Sequence, residues 1–187
     1  MDDKDLIIEY GAGNREAFGE LYDRYARKIY DFVFFRVSNK EVAEDLTSDI
    51  FLKACKKIKD FIPSGAGFGA WLYRIARNRV IDYYRTNKKN YNLEVAENLS
   101  DEGRWAEGED NRLLVTELQE KLEILKPEQR DIILMRAWDE LSYKEIATII
   151  GKSEAAAKML FFRALKILKE KLPEDIFILL CLILIKY

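Results

Sequence analysis

Apolar positions recur three and four residues apart along almost the whole chain, a period that predicts helices and not strands. One stripe carries Ala17, Phe18, Leu21, Tyr22, Tyr25, Ile29, Phe32 and Val33, with Asn14 placed to cap its start. A second carries Val42, Leu46, Ile50, Phe51 and Ala54 and ends near Ile62. It opens at Ser38 to Glu41, which has the form of a capping box. The run "PSGAGFG" interrupts the pattern, and a long helix is expected from about Ala70 to Lys89. Between Glu94 and Asp110 the periodicity fails: "EVAENLSDEGRWAEGED" is acidic and poor in aliphatics, the composition of a flexible linker. Helical spacing resumes from about Arg112 to Leu125 and again in "PEQRDIILMRAW", where Pro127 suits a first turn. In "LSYKEIATIIGKSEAAAKMLFFRALKIL", Ser142 and Glu145 form a second capping box. Gly151 suits a turn and Ser153 a cap. The expected fold is all-α: two small helical domains joined by an acidic linker.

The last stretch, "IFILLCLILI" from Ile176 to Ile185, is an unbroken apolar run. It is about half the roughly 20 residues that a spanning helix needs, so no stable membrane span is expected. Three roles are open to it. It can pack as an additional helix on one domain, clamp the second domain onto the first, or attach to a membrane surface. It lacks the polar face that the last would use.

Composition narrows the chemistry. Of 187 residues, 49% are hydrophobic and 34% charged, which describes a folding, soluble chain. There is no histidine, which excludes Ser–His–Asp and Cys–His catalysis and every histidine-bearing metal site. Cys55 and Cys181 lie far apart and lack metal-ligand spacing, so two reduced, core-filling thiols are expected and no cofactor. "MDDKDLIIEY" has no basic segment followed by an apolar one, so it is not a signal peptide, and a cytoplasmic location is expected. The net charge of −2 is unusual for a protein that grips nucleic acid alone, because such affinity comes largely from neutralising phosphates.

The charge is segregated, however. In "WLYRIARNRVIDYYRTNKKN", Arg74, Arg77, Asn78, Ile81, Arg85 and Lys88 fall on one helical face, and Leu72, Ile75, Ala76, Val80 and Tyr83 on the other. A basic face beside Phe68, Trp71, Tyr83 and Tyr84 can track a backbone and stack bases. Read alone, it fits a solvated basic face equally well. The C-terminal pair of helices has the outline of a helix-turn-helix. Ile146, Ala147 and Ile150 point inward from the first helix, and Ala157, Phe161, Ala164, Leu165 and Leu168 from the second. Ser153, Glu154, Lys158, Met159, Phe162, Arg163 and Lys166 then face outward, where a second helix meets the major groove. Lys158 and Lys166 are suited to phosphates, Arg163 to a guanine edge and Phe162 to a thymine methyl.

Three motifs in one order carry a resemblance. "EVAEDLTSDIFLKACKKI", "GAWLYRIARNRVIDYYRTNKK" and "LKPEQRDIILMRAWDELSYKEIATIIGKSEAAAKMLFFRALKIL" resemble regions 2 and 4 of bacterial RNA polymerase sigma factors of the extracytoplasmic-function (ECF) class. The likeness implies four segments. Residues 1–92 are region 2, which binds core polymerase and recognises and melts the −10 promoter element. Residues 93–111 are the linker, 112–172 are region 4, which reads the −35 element, and 173–187 are an apolar extension. It implies a non-catalytic subunit whose partners are core RNA polymerase, through the β′ clamp coiled coil and the β flap, and promoter DNA, with room for an anti-sigma factor. By position it assigns Asp45, Leu46, Ser48, Asp49, Phe51 and Leu52 to the polymerase. It assigns Arg74, Arg77, Asn78 and Asp82 to the −10 strand, with Phe61 and Phe68 lining a pocket for an extruded base. Trp71, Arg85 and Lys88 extend that surface. Lys158, Phe162 and Arg163 match −35 contacts, and Lys152, Ser153 and Lys166 flank them.

The chain departs from the family pattern at two places. Met159 stands where relatives carry a small polar residue and Leu160 where they carry a second basic one. One lost bidentate base contact removes roughly 1–3 kcal/mol of discrimination. Gly67 and Gly69 also replace polar or basic residues in the −10 loop. A subunit of a large enzyme tolerates thin charge, because linked readers raise each other's effective concentration. A stand-alone helix-turn-helix regulator explains only residues 126–172, and a helical enzyme has no catalytic constellation to support it.

Overall fold

The computed structural model describes residues 1–61, 67–87, 121–137 and 141–185, and among these all regular elements are helices. The expected linker, Lys88 and most of the expected Arg112 to Leu125 helix lie outside the described residues. The chain divides into two compact units, Met1–Val95 and Ala96–Tyr187.

The first unit contains α1 (Asp3–Gly11), α2 (Glu16–Val37), α3 (Lys40–Lys57), a short 3-10 turn (Ile58–Asp60) and α4 (Gly67–Thr86). α2 packs against α1, α3 and α4, so it is the spine of the unit. Its last two turns, Asp31 to Val37, are buried on every side, as expected for a helix that is apolar almost all round. Tyr22, placed on the inward stripe by spacing alone, is 45% exposed. α1 was not legible as a helix. Its cap is Asp2, whose side chain accepts the Asp5 N–H at 2.8 Å. Leu6, fully buried, anchors it, and the Tyr10 hydroxyl lies 3.2 Å from Cys55 Sγ on α3.

The capping box expected at Ser38 is corrected. Ser38 adopts a left-handed conformation (φ 51°) and ends α2, its N–H donating to the Phe34 carbonyl at 2.8 Å. A residue cannot be both a left-handed terminus and an extended cap. The cap of α3 therefore moves to Asn39, whose side chain accepts the Val42 N–H at 3.0 Å.

The second unit contains α5 (Pro127–Ala137), α6 (Tyr143–Ile150), α7 (Glu154–Lys171) and α8 (Glu174–Ile185). α5 is buried from Gln129 to Met135 and touches α6, α7 and α8. Even its Arg130 is inside, with Nε donating to the Leu122 carbonyl at 3.0 Å. Ser142 and Glu145 form the reciprocal capping box, and Gly151 (φ 68°) closes α6 in the left-handed region that favours glycine. Ser153 then caps α7, accepting the Ala156 N–H at 3.2 Å. α8 lies against α5 and α7 and buries Ile176 and Leu180, one turn apart, while Ile178 stays exposed. No helix among the described residues is long and apolar enough to cross a membrane.

Candidate nucleic-acid interfaces

α4 begins at Gly67, earlier than its apolar period suggests, because Gly67 and Phe68 already belong to its first turn. Phe68, Leu72, Ile75, Ala76 and Val80 are buried, with Tyr83 half-buried beyond them. Arg74, Asn78 and Arg85 are exposed and Arg77 and Asp82 half-buried, so one face of α4 is polar and cationic. Arg85 and Asp82 pair at 3.1 Å, which leaves the face a net positive charge.

Aromatic rings gather at the front of this face. Phe61 stands 5.3 Å from Trp71 and 5.9 Å from Phe68, and Phe68 stands 5.5 Å from Trp71. Phe61 and Trp71 are half-buried, so part of each ring faces solvent. Phe68 is 2% exposed, so little of its ring is open to a base, and it packs against the other two. A cavity of about 390 Å³ borders this cluster, lined by Asp3, Lys4, Ile7, Arg24, Phe61 and Phe68 among others.

On α3, Asp45, Ser48, Asp49 and Leu52 are exposed and share one face by their spacing of three and four. Leu46 and Phe51, 3% and 4% exposed, are core residues and cannot reach a partner. Phe51 packs edge-on against Tyr22 at 4.7 Å. Asp49 is already engaged: its carboxylate accepts Arg79 Nε at 3.2 Å and Nη2 at 2.7 Å across the α3–α4 seam. Sequence reasoning missed this pair, since only tertiary packing brings residues 30 positions apart together.

In the second unit, α7 exposes Ser153, Glu154, Lys158, Met159, Phe162, Arg163 and Lys166, and buries Ala157, Phe161, Ala164 and Leu168. Leu160 is half-buried and contributes less apolar surface than Met159 and Phe162, which are 54% and 61% exposed. Lys158 donates to Glu154 at 2.8 Å and lies 5.7 Å over the Tyr143 ring. The hydrogen bond from Lys158 holds the Glu154 carboxyl below its usual range and, reciprocally, raises the Lys158 ammonium. Lys152 reaches Glu128 at 3.4 Å, tying the turn to α5. Two of the expected cationic contacts thus begin with acidic neighbours. Among the described residues, no group of three or more cysteine and carboxylate side chains is placed to hold a metal ion.

One unit thus carries a cationic helix fronted by aromatic rings and the other a helix-turn-helix. Residues 21–90 match the Sigma-70 region 2 family and residues 116–168 the Sigma-70 region 4 family. The chain is 36% identical over 174 residues to the ECF RNA polymerase sigma factor BldN of Streptomyces coelicolor, covering 91% of this chain and 66% of that protein. It is 31% identical over 169 residues to the RNA polymerase sigma factor YlaC of Bacillus subtilis, covering 87% of this chain and 95% of the relative. Among solved structures, CnrH, determined in complex with the cytosolic domain of CnrY, superposes with a TM-score of 0.71. That match is 25% identical and covers 90% of this chain and 95% of CnrH. The chain belongs to the RNA polymerase sigma factors of the ECF class.

Proposed function

We propose that this chain binds core RNA polymerase and directs it to particular promoters, the first unit opening the −10 element and the second reading the −35 element. The polar face of α4, with Arg74, Arg77, Asn78 and Arg85 behind Phe61 and Trp71, carries this reading. Cations track the phosphate backbone, and rings accept bases once they leave the stack. On α3, the exposed face of Asp45, Ser48, Asp49 and Leu52 suits a basic, partly apolar helix of the polymerase clamp. α7 enters the major groove, with Arg163 and Phe162 toward base edges and Lys158, Lys166 and Lys152 toward phosphates.

The chain carries no chemistry of its own in this reading; the polymerase supplies it. An anti-sigma protein is a fitting further partner. CnrH was solved in complex with the cytosolic domain of CnrY, and Met159 and Phe162 of this chain offer apolar surface on which a protein can seat. A helix-turn-helix regulator acting alone is set aside, because it gives the region 2 match over residues 21–90 no purpose.

The test is direct. Purified chain mixed with core polymerase should co-elute and give transcripts from a genomic fragment library, and mapping their 5′ ends defines the promoter. A chain that binds duplex DNA alone and yields no transcript with the polymerase overturns the reading.

A further inference from the structure

The reading of α4 as the strand-opening helix leaves α1 without a task, yet α1 is tied to the aromatic cluster through a short series of contacts. In its first turn the Asp3 carboxylate is held on both oxygens: Arg24 donates to one and the Tyr25 hydroxyl to the other. Arg24 also donates to the Met1 carbonyl at 3.0 Å, which fixes the start of the chain to α2. The Tyr25 ring stands edge-on to Phe68 at 5.6 Å. It also covers Gly69 so closely that a Cβ there would lie 3.1 Å from ring carbon Cε1. Phe68 in turn supports Phe61 and Trp71, the two rings of the cluster that remain open to solvent.

We propose that Asp3 and Tyr25 are positioning residues for promoter opening: the carboxylate fixes the phenol, and the phenol fixes the aromatic cluster that receives unstacked bases. This rests on the assignment of α4 given above. Phe61 ends a 3-10 turn, its N–H donating to the Ile58 carbonyl at 3.1 Å, and its ring is set by contact with Phe68 and Trp71. Rings that must capture a base at the moment of unstacking act best when already set, since a displacement of about 1 Å in such an arrangement costs rate steeply. A tyrosine at position 25 has a physical reason beyond ring packing. Its hydroxyl reaches a carboxylate that Arg24 holds in place, and the same ring leaves a Cβ at position 69 little room.

The experiment uses full-length protein assembled with core polymerase on a promoter mapped as above. 2-Aminopurine replaces one adenine of the −10 non-template strand. Asp3→Ala and Tyr25→Phe are compared with the parent on fully paired DNA and on the same DNA mismatched across −10. Both variants should associate with core polymerase as the parent does and transcribe the mismatched template within about twofold of it. Their opening rate on paired DNA should fall on the order of tenfold. The double variant should be no slower than Asp3→Ala, because both changes break one tether. Unchanged opening on paired DNA, or an equal loss on both templates, overturns the proposal. Should the parent holoenzyme itself fail to open paired DNA, the assignment of α4 falls and this proposal with it.

Discussion

Lys158 faces outward from α7 with Glu154 only 2.8 Å away, so its charge is shared before any phosphate arrives. Because the Glu154 carboxyl is held below its usual range, it stays ionised at neutral pH. The pair is lost only as pH falls through that lowered value. Glu154→Gln should therefore tighten −35 binding by the holoenzyme. It should also steepen the fall of log affinity with log salt, by up to about 0.9 for one recovered phosphate contact. Fluorescence anisotropy across a salt series reads both, and an unchanged slope would mean that Lys158 touches no phosphate. At position 69, inside α4, Gly69→Ala gains about 1 kcal/mol of helix propensity but presses a methyl on the Tyr25 ring, so a melting midpoint below the parent's would show that Asp3 and Phe68 keep the ring from giving way. Overpacking of that kind typically costs about 1–3 kcal/mol. Much at this scale was legible beforehand: the exposed set on α7 follows from the 3.6-residue period, whereas the Glu154–Lys158 pair, spaced by four, went unread behind the assignment of Lys158 to phosphate. The apolar stripe of α3 already marked Leu46 and Phe51 as inward, against the polymerase role that the resemblance implied for them, whereas the burial of Phe68 was not legible. A motif marks a position as important without saying whether it touches the partner or holds up the residue that does.

Among the elements, cap chemistry was the most readable signal where a helix start is isolated and the least where two helices nearly abut. Ser142 and Ser153 cap as their sequence suggests, whereas Ser38 is taken by the end of α2 and Asn39 caps instead. α1 escaped notice because its nine residues bury only Leu6 and show little period, although Asp2 three residues before Asp5 is a serviceable start signal. α8 follows Pro173 and an extended Leu172, the geometry expected of a residue before proline. Its Ile176 and Leu180 are 4% and 1% exposed, so α8 contributes to the core of the second unit. Leu180→Ala should cost about 2–5 kcal/mol, the range for emptying a buried leucine site, and thermal denaturation of the full chain would show it. A midpoint equal to the parent's would mean that α8 leaves its seat in solution.

For the molecule as a whole, a net charge of −2 is compatible with the proposed DNA binding because cations are gathered on one face of α4 and on α7. Arg74→Ala with Arg77→Ala should leave polymerase association intact and abolish −10 opening. Permanganate footprinting of unpaired thymines would detect this, and intact reactivity would remove α4 from the mechanism. The ion pair between Asp49 and Arg79 has a further consequence for genetics. On the roles proposed for α3 and α4, any allele that alters Asp49 to weaken its hold on the enzyme also turns loose Arg79 on the helix that would face the promoter, so its phenotype should mix two lesions. Suppressors recovered against such an allele should fall in two unrelated places, the polymerase clamp and the DNA sequence itself, and only pairing each with a change at Arg79 would tell them apart.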